Sequence, residues 1–359
     1  MHAGNHDREQ GEDAVAQPHG VTVLIGSYLE PEHTQRIARV HGARVVYEPD
    51  LLPPPRYKAD HHGAPLQRSD REERRWRDLL AQAEVMFDFD YTNLDRLAEL
   101  APRLRWVQAT SAGIGPLLVR SGLIHSPITF TTASGIHAVP LAEFVLMAML
   151  WFAKGGRRMI QDQAAHHWER TCARELRGAT AGLIGLGGVG TEVARVCRAV
   201  GLRVVATKRT PGGRDADDVV DMLVPLSQLS ALLRLADVLV LAVPQTPETA
   251  GLIGRTELEL LPPGAILINI ARGAVVDEGA MIDALRGGRL AGAALDVFAQ
   301  EPLPESSPLW DMPNVLISPH SASTVESENA KLTDLFCDNL DRYLRGAPLR
   351  NVFDRARQY

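Results

Sequence analysis

AGLIGLGGVGTEVARV, residues 181–196, is the stretch whose reading decides the fold. Its first five residues are small or branched and read as a short strand. Gly185, Gly187 and Gly190 then form G-x-G-x-x-G, and from Thr191 the apolar spacing becomes helical. The first glycine permits a tight turn, the second lets an anionic group approach the backbone, and the third lets helix and strand pack closely. The helix N-terminus adds unpaired N–H groups and a partial positive charge facing that anion. A glycine-rich match alone is weak, since a bare βα turn can produce it. Here the helix is followed by a second strand pattern, LRVVAT (202–207), so strand, loop, helix and strand stand in register and predict a dinucleotide-binding unit.

Outward from this unit, short β-rich runs alternate with helical stretches along most of the chain, the pattern of βαβ units and parallel sheets. One series comprises Val21–Gly26, Arg44–Tyr47, Val85–Asp88, Leu104–Gln108 and Ile128–Thr131. The other comprises Ala181–Gly185, Arg203–Thr207, Val238–Ala242, Ala265–Asn269, Ala293–Asp296 and Val315–Ser318. Two series imply an α/β fold with two doubly wound domains. Residues 1–20 are polar and read as a tail, and a single long helix is expected over Ser323–Arg345. Residues 51–70, LLPPPRYKADHHGAPLQRSD, read as a loop inserted in the first domain. With no further ligands at metal-binding spacing, His61-His62 and His166-His167 read as solvated loop residues, and no metal is expected.

The 359 residues suit two domains. Lys plus Arg total 38 against 44 Asp plus Glu, a net charge of −6, with no basic stripe, which argues against nucleic-acid binding. Three widely spaced cysteines (Cys172, Cys197, Cys337) form neither a disulfide framework nor a zinc pattern, so a reducing, cytoplasmic setting is expected. The beginning of the chain has no apolar signal-type core. The most apolar stretch, Ala138–Phe152, contains Glu143 and is too short to cross a bilayer, so a soluble protein is expected.

Three more segments end strands of the second series. ILINIARGAVVDE (266–278) puts Arg272 just past a strand, AGAALDVFAQEP (291–302) puts Asp296 at a strand end and Glu301 in the next loop, and NVLISPHSAS (314–323) puts His320 just past a strand. Ligands of open α/β sheets bind at the carboxyl ends of strands, so these groups should converge. The set suits reduction of a 2-keto acid. A guanidinium can hold the carboxylate and the carbonyl, a histidine can protonate the carbonyl oxygen near neutral pH, and a carboxylate beside the histidine orients it and favours its charged form. Singly, each has a plainer reading as a surface charge, a loop acid or a capping histidine; together with the glycine loop they point to catalysis. At the end of the second strand of this unit, Ala206-Thr207-Lys208-Arg209-Thr210 lacks the acid that would take ribose hydroxyls and offers two cations, which suit a 2′-phosphate. NADP(H) is therefore favoured, with NAD(H) possible.

The chain resembles the D-isomer-specific 2-hydroxyacid dehydrogenase family from about Val21 to Asn351. The resemblance is carried by GLGGVG, TPETAGLI (246–253), INIARGAVVDE, ALDVFAQEP and PNVLISPH. It implies Rossmann/flavodoxin-like domains on either side of a cleft, the cofactor domain at 134–321 and the substrate-side domain at 21–133 plus 322–359, with a hinge at the two crossings. It also implies that Arg272 binds substrate, that His320 is the acid/base with Glu301 as its partner, and that Asp296 holds the nicotinamide amide. Val243 and Pro244 would pass under the adenosine side. QATSAGIG (108–115) would offer backbone N–H groups of Ser111, Ala112 and Gly113 to the substrate carboxylate. The remaining cofactor contacts fall on Gly188, Val189, Thr249, Ile270, Ala271, Ser321 and Ala322. Four features depart from the common pattern or separate its branches. Lys208-Arg209 replaces the NAD-type acid, and the 51–70 insertion has no counterpart. Glu301 stands where the formate-oxidising relatives carry Gln, so that branch is disfavoured, and the C-terminal regulatory domain common in the phosphoglycerate branch is not expected here.

GIHAVPLAEFVLMAMLWF (135–152) reads as a helix at the first crossing with almost no polar face, which calls for burial on all sides. A homodimer through the cofactor domain is expected, as in the family. Within enzymes, a glyoxylate/hydroxypyruvate reductase and a broader 2-keto acid reductase both fit. A dinucleotide-sensing corepressor on the same fold is the alternative of a different class.

Overall fold

The computed structural model describes residues 20–208 and 219–359. The N-terminal tail expected over residues 1–20 lies outside the described residues, Gly20 apart. So do Arg209 and Thr210 of the basic turn.

Two parallel sheets form the molecule, and each has hydrophobic clusters on both faces. The first contains β1 (Val21–Ile25), β2 (Ala43–Val46), β3 (Val85–Phe87), β4 (Trp106–Gln108) and β5 (Thr129–Thr131), in the order β2-β1-β3-β4-β5. The second contains β6 (Thr180–Ile184), β7 (Arg203–Lys208), β8 (Met222–Pro225), β9 (Val238–Leu241), β10 (Ala265–Asn269), β11 (Leu290–Leu295) and β12 (Val315–Ile317). Their order is β12-β11-β10-β9-β6-β7-β8. Strands buried on both faces read as nearly unbroken apolar runs, and side chains then alternate between faces: Leu183 packs on one side of its sheet and Ile184 on the other. The expected α/β fold of two doubly wound sheets is what forms.

Each sheet reverses its winding once, between β6 and β9 in the larger and between β1 and β3 in the smaller. At such a switch point the following loops diverge and open a crevice. After β5 the chain enters the helix Ala138–Lys154, which packs against the helix Gly188–Ala199 of the larger sheet. After β12 it returns as the helix Glu328–Leu344, which packs on the helix Pro31–Ala38 beside the smaller sheet. Phe336 of the returning helix stacks on Trp106 with ring centroids 5.2 Å apart and meets Phe87 edge-on at 5.3 Å.

Three expectations need correction. β8 was not anticipated: it is four residues long, ends on Pro225 and sits at a sheet edge, where a strand needs only a weak pattern. The last helix starts at Glu328 rather than Ser323, because residues 321–327 turn first, with Thr324 N–H bonded to the Ser321 carbonyl. His61 is not solvated. It is 8% exposed and its Nδ1 lies 3.1 Å from Ser27 Oγ, whereas His166 and His167 are exposed as expected.

The 51–70 segment is otherwise irregular, as expected, but it is tightly organised. Buried Asp60 accepts hydrogen bonds from the Arg56 backbone N–H, Nε and Nη2 and from the His62 and Gly63 N–H groups, at 2.7 to 3.2 Å. Burial alone would push its carboxyl up, but these bonds outweigh burial and hold it well below the usual carboxylate range. Among the described residues no single helix is long and apolar enough to cross a membrane.

Candidate active site

The glycine loop leaves β6 at the switch point of the larger sheet. Gly185 has φ of +100°, and a Cβ there would stand 2.7 Å from the Ala242 carbonyl oxygen after β9, so only glycine fits. A Cβ on Gly190 would collide with the Gly185 carbonyl, which is the close helix–strand packing expected. Nothing lies within 4 Å of where a Gly187 Cβ would be, and the helix starts at Gly188. Open space against a twelve-residue helix N-terminus fits a pyrophosphate. Val189 follows in the first turn. Val243 and Pro244 continue from β9 beside Gly185, and Thr249 folds that loop through its Oγ1, which donates to the Pro244 carbonyl at 2.8 Å and accepts from Thr246 N–H at 2.8 Å. Lys208 ends β7, in register with Pro225 of β8.

Arg272 follows β10. The buried side chain of Asn269 braces its turn from both sides, accepting from Ala271 N–H at 3.0 Å and donating to the Arg272 carbonyl at 3.2 Å. Gly273 presses on the Phe298 backbone so closely that a Cβ would collide. Across the cleft, a Cβ on Gly113 would collide with the Arg272 guanidinium. The guanidinium thus lies directly against the loop of Ser111, Ala112 and Gly113, of which Ala112 and Gly113 are exposed. Burial lowers the Arg272 pKa, while Glu301 and Asp296 pull it back up; the group stays cationic.

His320 stands just past β12 with φ of +54°, a conformation costing about 1 kcal/mol or more and characteristic of functional positions. Its Nδ1 is 2.7 Å from Glu301 Oε2, and the Phe298 N–H donates to Glu301 Oε1 at 2.9 Å. Burial pushes the Glu301 carboxyl up, but the His320 and Phe298 hydrogen bonds, with the nearby charges of His320 and Arg272, outweigh it and leave it below the usual range. An ionised carboxylate only accepts, so Nδ1 carries a proton and Nε2 is left for chemistry.

Asp296 is 2% exposed, and its Oδ1 accepts from Ser318 Oγ at 2.6 Å and from the N–H groups of Ser321 and Ala322, each at 2.9 Å. Its carbonyl accepts from His320 N–H at 2.9 Å. The residue read as a nicotinamide holder therefore also fixes the histidine loop. Ile270 and Ala271 are buried at the root of the arginine turn. Arg272, Glu301, His320, Asp296 and the glycine loop thus all stand at carboxyl ends of the larger sheet, with Ser111–Gly113 facing them from the smaller.

Sequence reasoning assigned no role to Asn269 or Ser318, although both lie inside the quoted motifs; a polar residue ending an apolar strand was the available signal. It also missed His137, whose Nε2 is 3.1 Å from Glu328 Oε1 and ties the two interdomain crossings together. Those residues are 191 apart in sequence, and no local pattern reveals them.

Residues 146–322 match the model of the D-isomer specific 2-hydroxyacid dehydrogenase NAD-binding domain. The chain is 34% identical over 278 residues to a glyoxylate reductase of Aeropyrum pernix, covering 74% of this chain and 81% of that one. It is 35% identical over 227 residues to a D-3-phosphoglycerate dehydrogenase of Archaeoglobus fulgidus, covering 63% of this chain but only 42% of that longer protein. A crystal structure of a D-isomer specific 2-hydroxyacid dehydrogenase from Xanthobacter autotrophicus Py2, in complex with NADPH and MES, superposes with a TM-score of 0.75. It is 28% identical, and the match covers 95% of this chain and all of that one. The chain belongs to the D-isomer specific 2-hydroxyacid dehydrogenase family and is a nicotinamide-dinucleotide-dependent oxidoreductase.

Proposed function

We propose that the chain reduces small 2-keto acids to D-2-hydroxy acids and runs the reverse oxidation, with NADP(H) preferred to NAD(H). The observation that carries this reading is the Arg272 guanidinium packed against Gly113 beside a His320–Glu301 pair. Arg272 and the N–H groups of Ser111, Ala112 and Gly113 bind the substrate carboxylate, and Arg272 also polarises the carbonyl. His320 Nε2 gives the proton to the carbonyl oxygen in reduction and takes it back in oxidation. Glu301 holds the ring through Nδ1. The bound nicotinamide supplies or receives the hydride. Asp296 orients the nicotinamide amide, and Gly185–Gly190, Val243, Pro244, Thr249, Ile270, Ala271, Ser321 and Ala322 surround the rest of the dinucleotide.

The absence of an acid at Lys208 supports the NADP(H) preference, as does the NADPH bound by the Xanthobacter relative. Glyoxylate and hydroxypyruvate are the substrates to try first, given the Aeropyrum relative's name. Residues 21–133 with 322–359 and residues 134–321 act as the two hinged halves. Two copies of the chain pair through an apolar stripe on the helix Ala138–Lys154, where Val139 is 47%, Met147 42% and Leu150 40% exposed, continuing through Met159, Ile160 and Trp168. The three free cysteines suit a reducing, cytoplasmic setting. A panel of 2-keto acids assayed with NADPH and NADH tests the reading. Turnover of at least one acid, faster with NADPH at low cofactor, is expected. No turnover with either cofactor would overturn it, and a tenfold preference for NADH would overturn the cofactor assignment.

A further inference from the structure

Residues 350–359 follow the helix Glu328–Leu344 and have so far no part in the reaction. They run antiparallel to β5, the edge strand of the smaller sheet: Val352 pairs with Thr131, and Phe353 N–H donates to the Phe130 carbonyl at 2.8 Å. The buried Asn339 fixes where this segment begins. Its Oδ1 accepts from Arg350 N–H at 2.8 Å, and its Nδ2 donates to the Arg350 carbonyl at 3.2 Å and to Gln108 Oε1 at 3.1 Å. Covering a sheet edge accounts for the pairing with β5. It does not account for what the segment does beyond that edge.

The segment grips the loop of Ser111, Ala112 and Gly113 from both sides. On the Ser111 side stands Asn351, with a left-handed φ of +55°. Its carbonyl accepts from Thr132 N–H at 2.9 Å, and its Nδ2 donates to the Ser134 carbonyl at 2.9 Å. Ala133, held between those two, donates its N–H to the Ser111 carbonyl at 3.1 Å. On the far side, Gly115 opens the helix Gly115–Arg120, and a Cβ there would collide with the Gln358 carbonyl. Arg355 anchors the turn that carries Gln358. Its guanidinium donates to the carbonyls of Leu123, Ile124 and Ile128 and lies over the Phe130 ring, 5.5 Å from the centroid. Asp354 closes the turn by accepting from the Gln358 N–H at its carbonyl, at 2.7 Å. Between the two grips lies Gly113, against the Arg272 guanidinium.

We infer that residues 350–359 form a strap that sets the position of the three N–H donors and of the guanidinium leaning on them, with Asn351 and Arg355 as positioning residues. This rests on the proposed 2-keto acid reduction, which assigns those donors to the substrate carboxylate. A loop held in its binding shape beforehand spares the acid the cost of ordering it. The glycine loop belongs to the other sheet, so loosening the strap weakens the acid and leaves the dinucleotide bound.

The test joins hydrogen exchange, read by mass spectrometry on peptides covering residues 109–115 and 181–199, to steady-state kinetics with glyoxylate and a fluorescence titration of NADPH. Arg355→Ala removes one grip. Asn351→Gly keeps the left-handed backbone and removes the side-chain bonds of the other. Arg357→Ala, at an exposed residue of the same turn paired with Asp354, is the control. In each of the first two variants, exchange at 109–115 should quicken and KM for glyoxylate should rise about fivefold or more, the usual weight of a lost hydrogen bond or two. Exchange at 181–199 and the Kd of NADPH should hold, and the control should change none of these. Either of the two variants decides the matter if the other fails to fold. Unchanged exchange at 109–115 would overturn the strap, whatever the kinetics. Faster exchange with an unchanged KM would overturn its role toward the acid. Faster exchange at 181–199 as well marks general loosening and would overturn it too. If the unmodified chain turns over no 2-keto acid, the reduction itself is wrong, and the strap's role toward the acid falls with it even where exchange responds.

Discussion

Arg272 and Gly113 come from different sheets, 159 positions apart, yet a single methyl on Gly113 would collide with the guanidinium. Gly113 has no positive φ, so Gly113→Ala should leave the fold and cofactor affinity intact while displacing Arg272. Raised KM for the keto acid together with reduced kcat is expected in steady-state kinetics; unchanged kinetics would separate Arg272 from the substrate. His320 and Glu301 give a second expectation. Reduction consumes a proton from the imidazolium, so its rate should fall as pH rises, and oxidation should gain. Glu301→Ala removes the acceptor that holds the ring through Nδ1, so kcat should fall while cofactor binding stays nearly intact. His320→Ala should lose about 10²-fold or more of the rate with cofactor binding nearly intact. Arg272, Glu301 and His320 were legible in the sequence because each follows a strand with its own flanking motif. Their bracing was less so: Asn269 and Asp296 do their work through hydrogen bonds to backbone N–H groups, which sequence does not encode locally.

At the scale of elements, the strand–loop–helix at 180–199 was legible because three glycines and a change of apolar period coincide there. The 51–70 segment was legible as a loop but not as an ordered one. Its order comes from one aspartate collecting five donors, a property of the folded path rather than of composition. Because the Asp60 carboxyl is held below its ordinary range, protons favour the released loop. Its stabilisation is therefore fully present above the ordinary aspartate range, near pH 4, and is lost only as pH falls through the lower folded value. Asp60→Asn should open the loop even at neutral pH. Limited proteolysis checks this: cleavage within residues 51–70 should appear in the variant at pH 7, and in the unmodified chain only under strongly acidic conditions. Equal protection of both at pH 7 would contradict it.

For the whole molecule, the pattern of two strand series was enough to anticipate two doubly wound sheets, since parallel strands buried on both faces announce themselves as apolar runs. How the halves are joined was not legible, because the His137–Glu328 contact and the stacking of Phe336 on Trp106 link distant segments. For the proposed pairing through the apolar stripe of the helix Ala138–Lys154, light scattering at micromolar concentration should report about twice 39.2 kDa. Met147→Glu with Leu150→Glu should yield monomers, and a monomeric unmodified chain would contradict the pairing. The proposed reaction is hydride transfer to C2 of a 2-keto acid in a site where Arg272 holds the acid and His320 supplies the proton. The most direct test supplies reduced cofactor deuterated at the transferring position with glyoxylate or hydroxypyruvate and examines the product by mass spectrometry and NMR. One deuterium at C2 is expected, with the D configuration where that carbon is stereogenic, and product formation about 10²-fold or more slower with His320→Ala and strongly reduced with Arg272→Ala. A product without deuterium at C2, or undiminished formation by both variants, would contradict it.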